Sequence, residues 1–174
     1  MPSLAEWITL SVCAVAAFTD WRRTTIPNWL TFPVLILAPI YAAVLEFPWG
    51  LIRSLLGMVL CGLVPLLLFY KRAVGGGDVK LLAAVGALCG YMIGIEIQLF
   101  AFIIAAIYAL LALTWKGLLW RTLSNTFFLS FNVFLPKEKR RTIEPQLLSS
   151  LRFGLPIFSA AGLSIALRSI SLWG

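Results

Sequence analysis

The chain has 174 residues, of which 61% are hydrophobic and only 12% are charged, and its formal net charge is +7. A soluble domain is usually about half apolar and about a quarter charged, so this composition excludes an ordinary soluble fold and predicts an all-α, polytopic membrane protein. The sequence contains no histidine, and its three cysteines form no CxxC pair. A zinc site of the usual Cys/His type is therefore not expected, a mechanism that depends on histidine is excluded, and no metal or other cofactor is predicted.

Six apolar runs in chain order predict six transmembrane helices. They are Leu4–Thr19, Leu30–Leu45, Ser54–Tyr70, Leu81–Ile95, Ile97–Lys116 and Phe153–Leu167. The fourth and fifth runs are nearly continuous and together have about 35 residues, whereas ~20 residues span a bilayer core. We therefore expect two helices here, with a tight turn marked by Gly90, Gly94 and Glu96.

An aromatic and apolar segment, Trp115–Phe134, follows the fifth predicted span and leads into the basic stretch "PKEKRRTIEP". It predicts an interfacial helix on the cytoplasmic face, with the basic stretch near anionic lipid. A short re-entrant segment is the alternative, and a seventh crossing is disfavoured because it would place Lys137–Arg141 outside. The sequence does not distinguish a segment that guides a substrate from one that packs against the bundle.

Basic residues orient the predicted helices. With the N-terminus and the C-terminus outside, every lysine and arginine except Arg53 and Arg168 falls on the cytoplasmic side, as the positive-inside rule requires. Five or seven helices would spoil this alternation. The net positive charge is thus an orientation signal, and its scattering over helix ends gives no reason to expect nucleic acid as a partner.

The seven acidic residues separate into three groups. Those predicted at outer ends or turns are Glu6, Glu46 and Glu96, and those in the basic inner loop are Glu138 and Glu144. The remaining two, Asp20 and Asp78, fall at the inner membrane border, one after the first helix and one before the fourth. Ionisable groups in or near a membrane are costly and often functional.

Each aspartate has an ordinary structural explanation when it is taken alone. Asp20 can be a solvated loop charge, and Asp78, which follows three glycines, can be a helix cap at the end of a flexible linker. Together, however, two carboxylates at one membrane face can share a proton and activate one water: one acts as general base, and the other, protonated, donates to the scissile carbonyl. Helix polarity favours Asp78, at a helix N-terminus, as the base, and Asp20, at a helix C-terminus, as the holder of the proton.

Three segments carry a family resemblance. Gly75–Asp78 matches GxGD and continues as "GDVKL"; Asp20 is followed by "WRRTTIPNWLT", in which basic residues precede an Ile-Pro-Asn segment; and "RFGLPIFSAAG" (Arg152–Gly162) contains the proline and glycines of a last helix. In this order they resemble the type IV prepilin peptidases, a family of GxGD intramembrane aspartyl proteases. The resemblance implies that Asp20 and Asp78 are the catalytic residues.

The resemblance is closest to the short TadV/CpaA-like branch, which processes Flp-type prepilins. Larger members carry a cytoplasmic insert with paired CxxC motifs, whereas here Thr24–Pro27 leads directly to the second helix. The resemblance implies one membrane-embedded peptidase domain over residues 1–174, with no separate soluble domain, in the bacterial inner membrane. Its partners would be the lipid bilayer and a prepilin whose short basic leader is cut at the cytoplasmic face. N-methylation is not assigned, and the oligomeric state stays open, a homo-oligomer included.

Further residues support the two motifs, and each has a structural alternative. They are Gly75, Gly77, Lys80, Arg22, Pro27, Asn28 and Pro156. The basic residues are topology anchors or tune the carboxylates. Pro27 and Asn28 start the second helix, with Asn28 as an alternative hydrogen-bonding group near the two aspartates. Pro156 begins or kinks the last helix.

Two other functions compete with proteolysis. A non-enzymatic membrane subunit or assembly factor of a pilus or secretion machine would need neither carboxylate. A small transporter would place ionisable groups near the bilayer midplane and would show internal repeats, but both aspartates are predicted at the border and no clear repeat is visible.

Overall fold

The computed structural model describes residues 3–71, 74–115 and 153–171, which fold into five α-helices. In chain order they are α1 (Leu4–Arg23), α2 (Asn28–Leu45), α3 (Trp49–Tyr70), α4 (Gly76–Trp115) and α5 (Gly154–Ser171). No strand occurs in these ranges, so the all-α prediction is confirmed for them.

The described helices have the length and composition of a membrane protein. Four of them, α1 to α4, are long and apolar enough to cross a membrane, and α5 contributes a shorter apolar stretch, Gly154–Ile170. Large apolar side chains such as Trp29, Val44 and Trp49 are exposed on the helix surfaces. A soluble protein rarely exposes large apolar patches, whereas lipid solvates them, so the structure supports the predicted polytopic membrane fold.

The fourth and fifth predicted spans correspond to two helical segments of α4, which meet at a non-helical residue, Gly90. Gly90 has φ 76 and ψ 174, which are not helical values, whereas the chain on either side of it is helical. The predicted turn is therefore correct for Gly90 and wrong for Gly94 and Glu96, which lie in the helix after the break. Gly94 serves packing instead, because a Cβ at this position would lie only 2.8 Å from the Gly86 Cα.

Local sequence explains where α1 begins and ends and where α2 begins. At the start of α1, Ser3 and Glu6 form a capping box: Ser3 N–H donates to Glu6 Oε2 (2.8 Å), and Glu6 N–H donates to Ser3 Oγ (3.3 Å). Thr24, with φ 54, ends the helix. Pro27 then has an extended backbone (φ −72, ψ 142), and α2 begins at Asn28, as predicted.

Small and polar residues hold the helices together. α1 packs along α5, and α2 packs along α3. Small side chains such as Ala16, Ala17 and Ala160 are buried in α1 and α5, and Ser54 Oγ of α3 donates to Ala87 O of α4 (2.7 Å). Small residues that let helix backbones approach closely are the usual packing device of membrane bundles.

A charged contact joins α4, beyond its break, to α5. The Arg168 guanidinium forms an ion pair with Glu96 Oε2, and the other oxygen of Glu96 accepts a hydrogen bond from Ser164 Oγ (2.9 Å). A charge without a partner is costly inside an apolar bundle. The pair therefore satisfies two charges that stand within otherwise apolar helices.

The chain divides into two compact units. One consists of Met1–Ile104 with Arg152–Gly174, and the other is Ala105–Leu151. The described part of the second unit is the end of α4, residues 105–115. The interfacial helix predicted over Trp115–Phe134, its re-entrant alternative and the basic stretch that follows lie outside the described residues, apart from Trp115. Both candidate catalytic aspartates belong to the first unit.

Candidate active site

Asp20 lies in the last turn of α1, not after the helix as predicted, because the helix continues to Arg23. The residue is buried, with 7% of its surface exposed. Its Oδ2 accepts a hydrogen bond from the backbone N–H of Gly154, the first residue of α5 (3.0 Å). The interpretation of Asp20 as a solvated loop charge is therefore wrong.

Asp78 lies in the first turn of α4 and is also buried, at 9% exposure. Its Oδ2 accepts a hydrogen bond from Gly75 N–H (3.2 Å), and its own N–H donates to Gly75 O (3.2 Å). This arrangement resembles one half of a capping box, in which an acidic side chain in the first helical turn satisfies the N–H of the capping residue. Asp78 is thus not the capping residue itself, but it does help to close the start of α4.

Although they belong to different helices, the two carboxylates are close enough for the charge of Asp20 to act on Asp78. The turn after α1, which contains Ile26, packs against the start of α4 and brings them together. A Cβ on Gly77 would lie 2.9 Å from Ile26 Cβ and 3.4 Å from Ile26 N, and Ile26 is itself buried. Only a residue without a Cβ lets these two segments approach so closely.

A second contact between the two motifs involves a lysine and an asparagine. Lys80 Nζ donates to Asn28 Oδ1 (2.9 Å) and lies 4.8 Å from the centroid of the Phe32 ring. Arg22 lies over the ring of Phe18, one turn earlier on α1, at 4.6 Å. Within the described ranges, no lysine or arginine forms an ion pair with either aspartate. The contacts of Lys80 and Arg22 are therefore with the helices rather than with the carboxylates.

Comparison with known proteins identifies the family to which this chain belongs. The model of the type IV leader peptidase family matches residues 7–110, a stretch that contains both aspartates and the "GGGD" segment. The chain belongs to the type IV leader peptidase family. Prepilin peptidase EppA of Methanothermobacter thermautotrophicus is similar at 36% identity over 89 residues, which cover 49% of this chain and 23% of that relative. The chain thus matches less than a quarter of that relative's length. No solved structure matches the chain significantly.

In this member of the type IV leader peptidase family, each aspartate holds one backbone N–H, from Gly154 or from Gly75, through its Oδ2. A carboxylate held in this way keeps lone pairs that can bind water and exchange protons. In the part of the chain that the structure describes, no group of three or more His, Cys, Asp or Glu residues could hold a metal ion. Two carboxylates that keep such lone pairs are suited to acid and base chemistry.

The start of α5 contains a site residue that the sequence analysis missed. The sequence points to Pro156 instead. This proline is buried in the first turn of α5, where a missing N–H breaks no helical hydrogen bond. It therefore begins the helix rather than kinking it. The residue that contacts Asp20 is Gly154, and its signal in the sequence was a glycine immediately before this proline in "FGLP".

The position of α5 also changes the argument from helix polarity. The N-terminus of α5 lies at Asp20, through the Gly154 N–H, just as the N-terminus of α4 lies at Asp78. Each aspartate thus has the positive end of a helix dipole beside it. The argument from polarity considered only the helix that carries each aspartate, so polarity alone does not separate the proton holder from the base, and their assignment stays a prediction.

Proposed function

We propose that this chain is a membrane aspartyl endopeptidase of the GxGD type, which cleaves the leader of type IV prepilins with Asp20 and Asp78 as its catalytic residues. One observation carries the proposal: two buried carboxylates from different helices interact within the region that matches the family. The similarity to a protein named prepilin peptidase supports the class of substrate.

The proposed reaction needs one ionised and one protonated aspartate. The ionised carboxylate takes a proton from a water molecule, and the water oxygen attacks the carbonyl carbon of the scissile peptide bond while the protonated aspartate donates its proton to the carbonyl oxygen. When the tetrahedral intermediate collapses, the C–N bond breaks, the leaving nitrogen takes the proton that the base received, and the second aspartate recovers its proton from the intermediate. One water is consumed for each bond cut.

We further propose six membrane crossings in a single domain, with the break at Gly90 dividing α4 into two of them. The part before the break, residues 76–89, is about 21 Å long at 1.5 Å per residue, which is shorter than the ~30 Å hydrocarbon core. At one end of this crossing, either the start of α4 or the break at Gly90 therefore lies inside the hydrocarbon core rather than at its surface. The positive-inside rule places the two aspartates at the cytoplasmic face of a bacterial inner membrane, with both termini outside.

The short connection between α1 and α2 supports the Flp-type branch. α1 ends at Arg23 and α2 begins at Asn28, so no insert with paired CxxC motifs lies between them. We therefore propose the TadV/CpaA-like branch, with Flp-type prepilins as substrates. N-methylation of the mature pilin is not part of the proposal.

The decisive experiment co-expresses the chain with a candidate Flp-type prepilin in cells that lack another prepilin peptidase. Mass spectrometry of the pilin reports loss of the leader. Asp20→Asn and Asp78→Asn, tested separately, should each lower cleavage by at least about a thousandfold, because removal of a general acid or base costs about this much. Glu46→Gln is the matched control, since Glu46 is an exposed carboxylate in a surface ion pair.

Membrane fractionation and a thermal melt in detergent must show that each variant is inserted and folded. If either Asn variant processes the prepilin normally, the pair of aspartates is not catalytic. A chain that supports pilus assembly with both aspartates replaced would instead be a non-enzymatic assembly factor.

A further inference from the structure

The helix α5 begins directly on the side chain of Asp20. The C=O of Phe153 accepts the first helical hydrogen bond, from Ile157 N–H (3.1 Å), so Phe153 is the capping position and Gly154 is the first helical residue. The N–H of a first helical residue has no partner within its own helix. Here its partner is Asp20 Oδ2, at 3.0 Å in a buried contact. Asp20, a residue of α1, therefore caps the N-terminus of α5. A capping side chain usually comes from the residue that immediately precedes the helix.

This contact leaves no room for a side chain at position 154. A Cβ on Gly154 would lie 2.9 Å from both Cβ and Oδ2 of Asp20, and 3.2 Å from the Cα of Ala17. Real Cβ atoms essentially never come within 3.0 Å of such neighbours. Any larger residue at this position must therefore push Asp20 or the start of α5 away.

The residue before Gly154 fixes the start of α5 in place. Phe153 is buried, at 8% exposure, and its ring packs edge-on against the ring of Phe102 in α4, with centroids 5.8 Å apart. Aromatic pairs of this geometry stabilise a contact beyond the effect of simple burial. The Gly154 N–H thus approaches Asp20 from a point that is anchored on another helix.

We propose that Gly154 is a positioning residue for catalysis. Its N–H holds Asp20 Oδ2, so that the carboxylate has one orientation and Oδ1 is the oxygen left for water and for the exchange of protons with Asp78. This inference rests on the proposed function, and it extends the active site to a helix that lies beyond residues 7–110, the region that matches the family. α5 is then a part of the catalytic machinery as well as of the packing.

Gly154→Ala tests the inference against a matched control on the same helix, Gly162→Ala. A Cβ on Gly162 would meet only Leu10 Cδ1, at an ordinary 3.9 Å. In a purified prepilin cleavage assay, Gly154→Ala should lower kcat at least about tenfold with KM changed less than about twofold, because a small displacement of a catalytic group lowers the rate while substrate binding remains. Gly162→Ala should keep both constants close to those of the wild type.

A second variant removes the donor without adding an atom. Glycolic acid at position 154, introduced by nonsense suppression in a cell-free system with lipid nanodiscs, replaces the N–H by an ester oxygen. It should also lower kcat, by about tenfold, since a hydrogen bond to a charged group is stronger than one between neutral groups. This variant keeps the test valid if Gly154→Ala proves to be unfolded.

The outcomes separate this inference from the proposed function. If the wild type cleaves, Asp20→Asn does not, and both position-154 variants retain the wild-type kcat, the positioning role is overturned and the aspartyl mechanism stands. A fall in the folded fraction alone, with kcat per folded molecule unchanged, also overturns it. If Asp20→Asn itself cleaves normally, the proposed function fails, and the positioning role fails with it.

Discussion

At the end of the bundle where α1 stops and α4 and α5 start, Asp20 and Asp78 are each held by a backbone N–H. At the other end, Glu46 and Glu96 are each paired with an arginine. A backbone donor orients a carboxylate without neutralising its charge, whereas an arginine orients the carboxylate and also neutralises its charge. In the proposed function the first end exchanges protons, whereas the ion pairs at the second end join helices.

The second end also contains a pocket of about 240 Å³, whose lining includes Glu6, Ser54 and Gly90. Its size does not make it the better candidate for catalysis. Glu6 already accepts the Ser3 N–H in the capping box of α1, and Ser54 already donates to the backbone of α4. The chemistry of the carboxylates, rather than the volume of the nearest cavity, distinguishes the two ends.

Among the variants that leave both aspartates in place, the largest effect is expected from Gly77→Ala, which disturbs the first end alone. The added Cβ would lie 2.9 Å from Ile26 Cβ and would push the start of α4 away from the turn after α1. Because the two aspartates are joined through this contact, kcat for prepilin cleavage should fall about ten- to a hundredfold. Stability should change much less, since the site lies at a helix end, and a thermal melt in detergent measures it.

Gly76→Ala is the control for this prediction. A Cβ on Gly76 would come no closer than 3.3 Å to the ring of Phe69, and an exposed aromatic ring can turn aside. Its kcat should stay within about threefold of the wild type. Equal losses from the two alanine variants would show that the segment needs flexibility in general, not the close approach to Ile26.

Glu96→Gln disturbs the second end alone and should have the opposite pattern. The variant removes the charge that binds Arg168 in a half-buried pair, so the free energy of unfolding should fall by about 1–3 kcal/mol. The kcat per folded molecule should stay within about twofold, because the pair lies far along α5 from Gly154. Glu46→Gln, in an exposed pair with Arg53, should cost less than about 0.5 kcal/mol.

Detergent melts of the two glutamine variants, with cleavage assays on the same preparations, separate these expectations. A loss of kcat in Glu96→Gln as large as that in Gly77→Ala would contradict the division of labour between the two ends. Equal destabilisation by Glu46→Gln would show that exposure does not decide what such a pair contributes.

The sequence predicted the parts of the site that depend on local patterns. Apolar runs placed α1, α2 and α3, Pro27 and Asn28 marked the start of α2, and the position of acidic residues among those runs singled out Asp20 and Asp78. Each of these features depends on residues that are neighbours in the chain. Periodicity and turn chemistry report such neighbours directly.

The features that sequence reasoning missed depend on contacts between distant segments. Glu96 looked like a turn residue because it is a charge between two apolar runs, but its partner Arg168 lies 72 positions later. The N–H that holds Asp20 comes from a residue 134 positions away, Gly154. The packing of α5 against α1 and α4 brings these groups together. Patterns in a single sequence report neighbours along the chain, so they do not reveal this packing.

Lys80→Met should affect catalysis less than Gly77→Ala, and it tests whether a cation at the first end acts on the carboxylates. Lys80 binds Asn28 Oδ1 and lies over Phe32, so methionine keeps the apolar stem and removes both polar contacts. The loss of one exposed hydrogen bond and one cation–π contact should cost about 1 kcal/mol and lower kcat/KM by less than about fivefold. Lys71→Met, at the exposed end of α3, is the control.

The shape of the pH–rate profile decides what Lys80 does. Because its contacts are with α2 and not with Asp20 or Asp78, the profile of Lys80→Met should keep the limbs of the wild type even where the maximum rate is lower. A displacement of either limb by more than about half a pH unit would mean that the lysine charge reaches the carboxylates. In that event the first end would contain a cation that tunes the aspartates. Cations would then act on carboxylates at both ends, and the two ends would differ only in how strongly they do so.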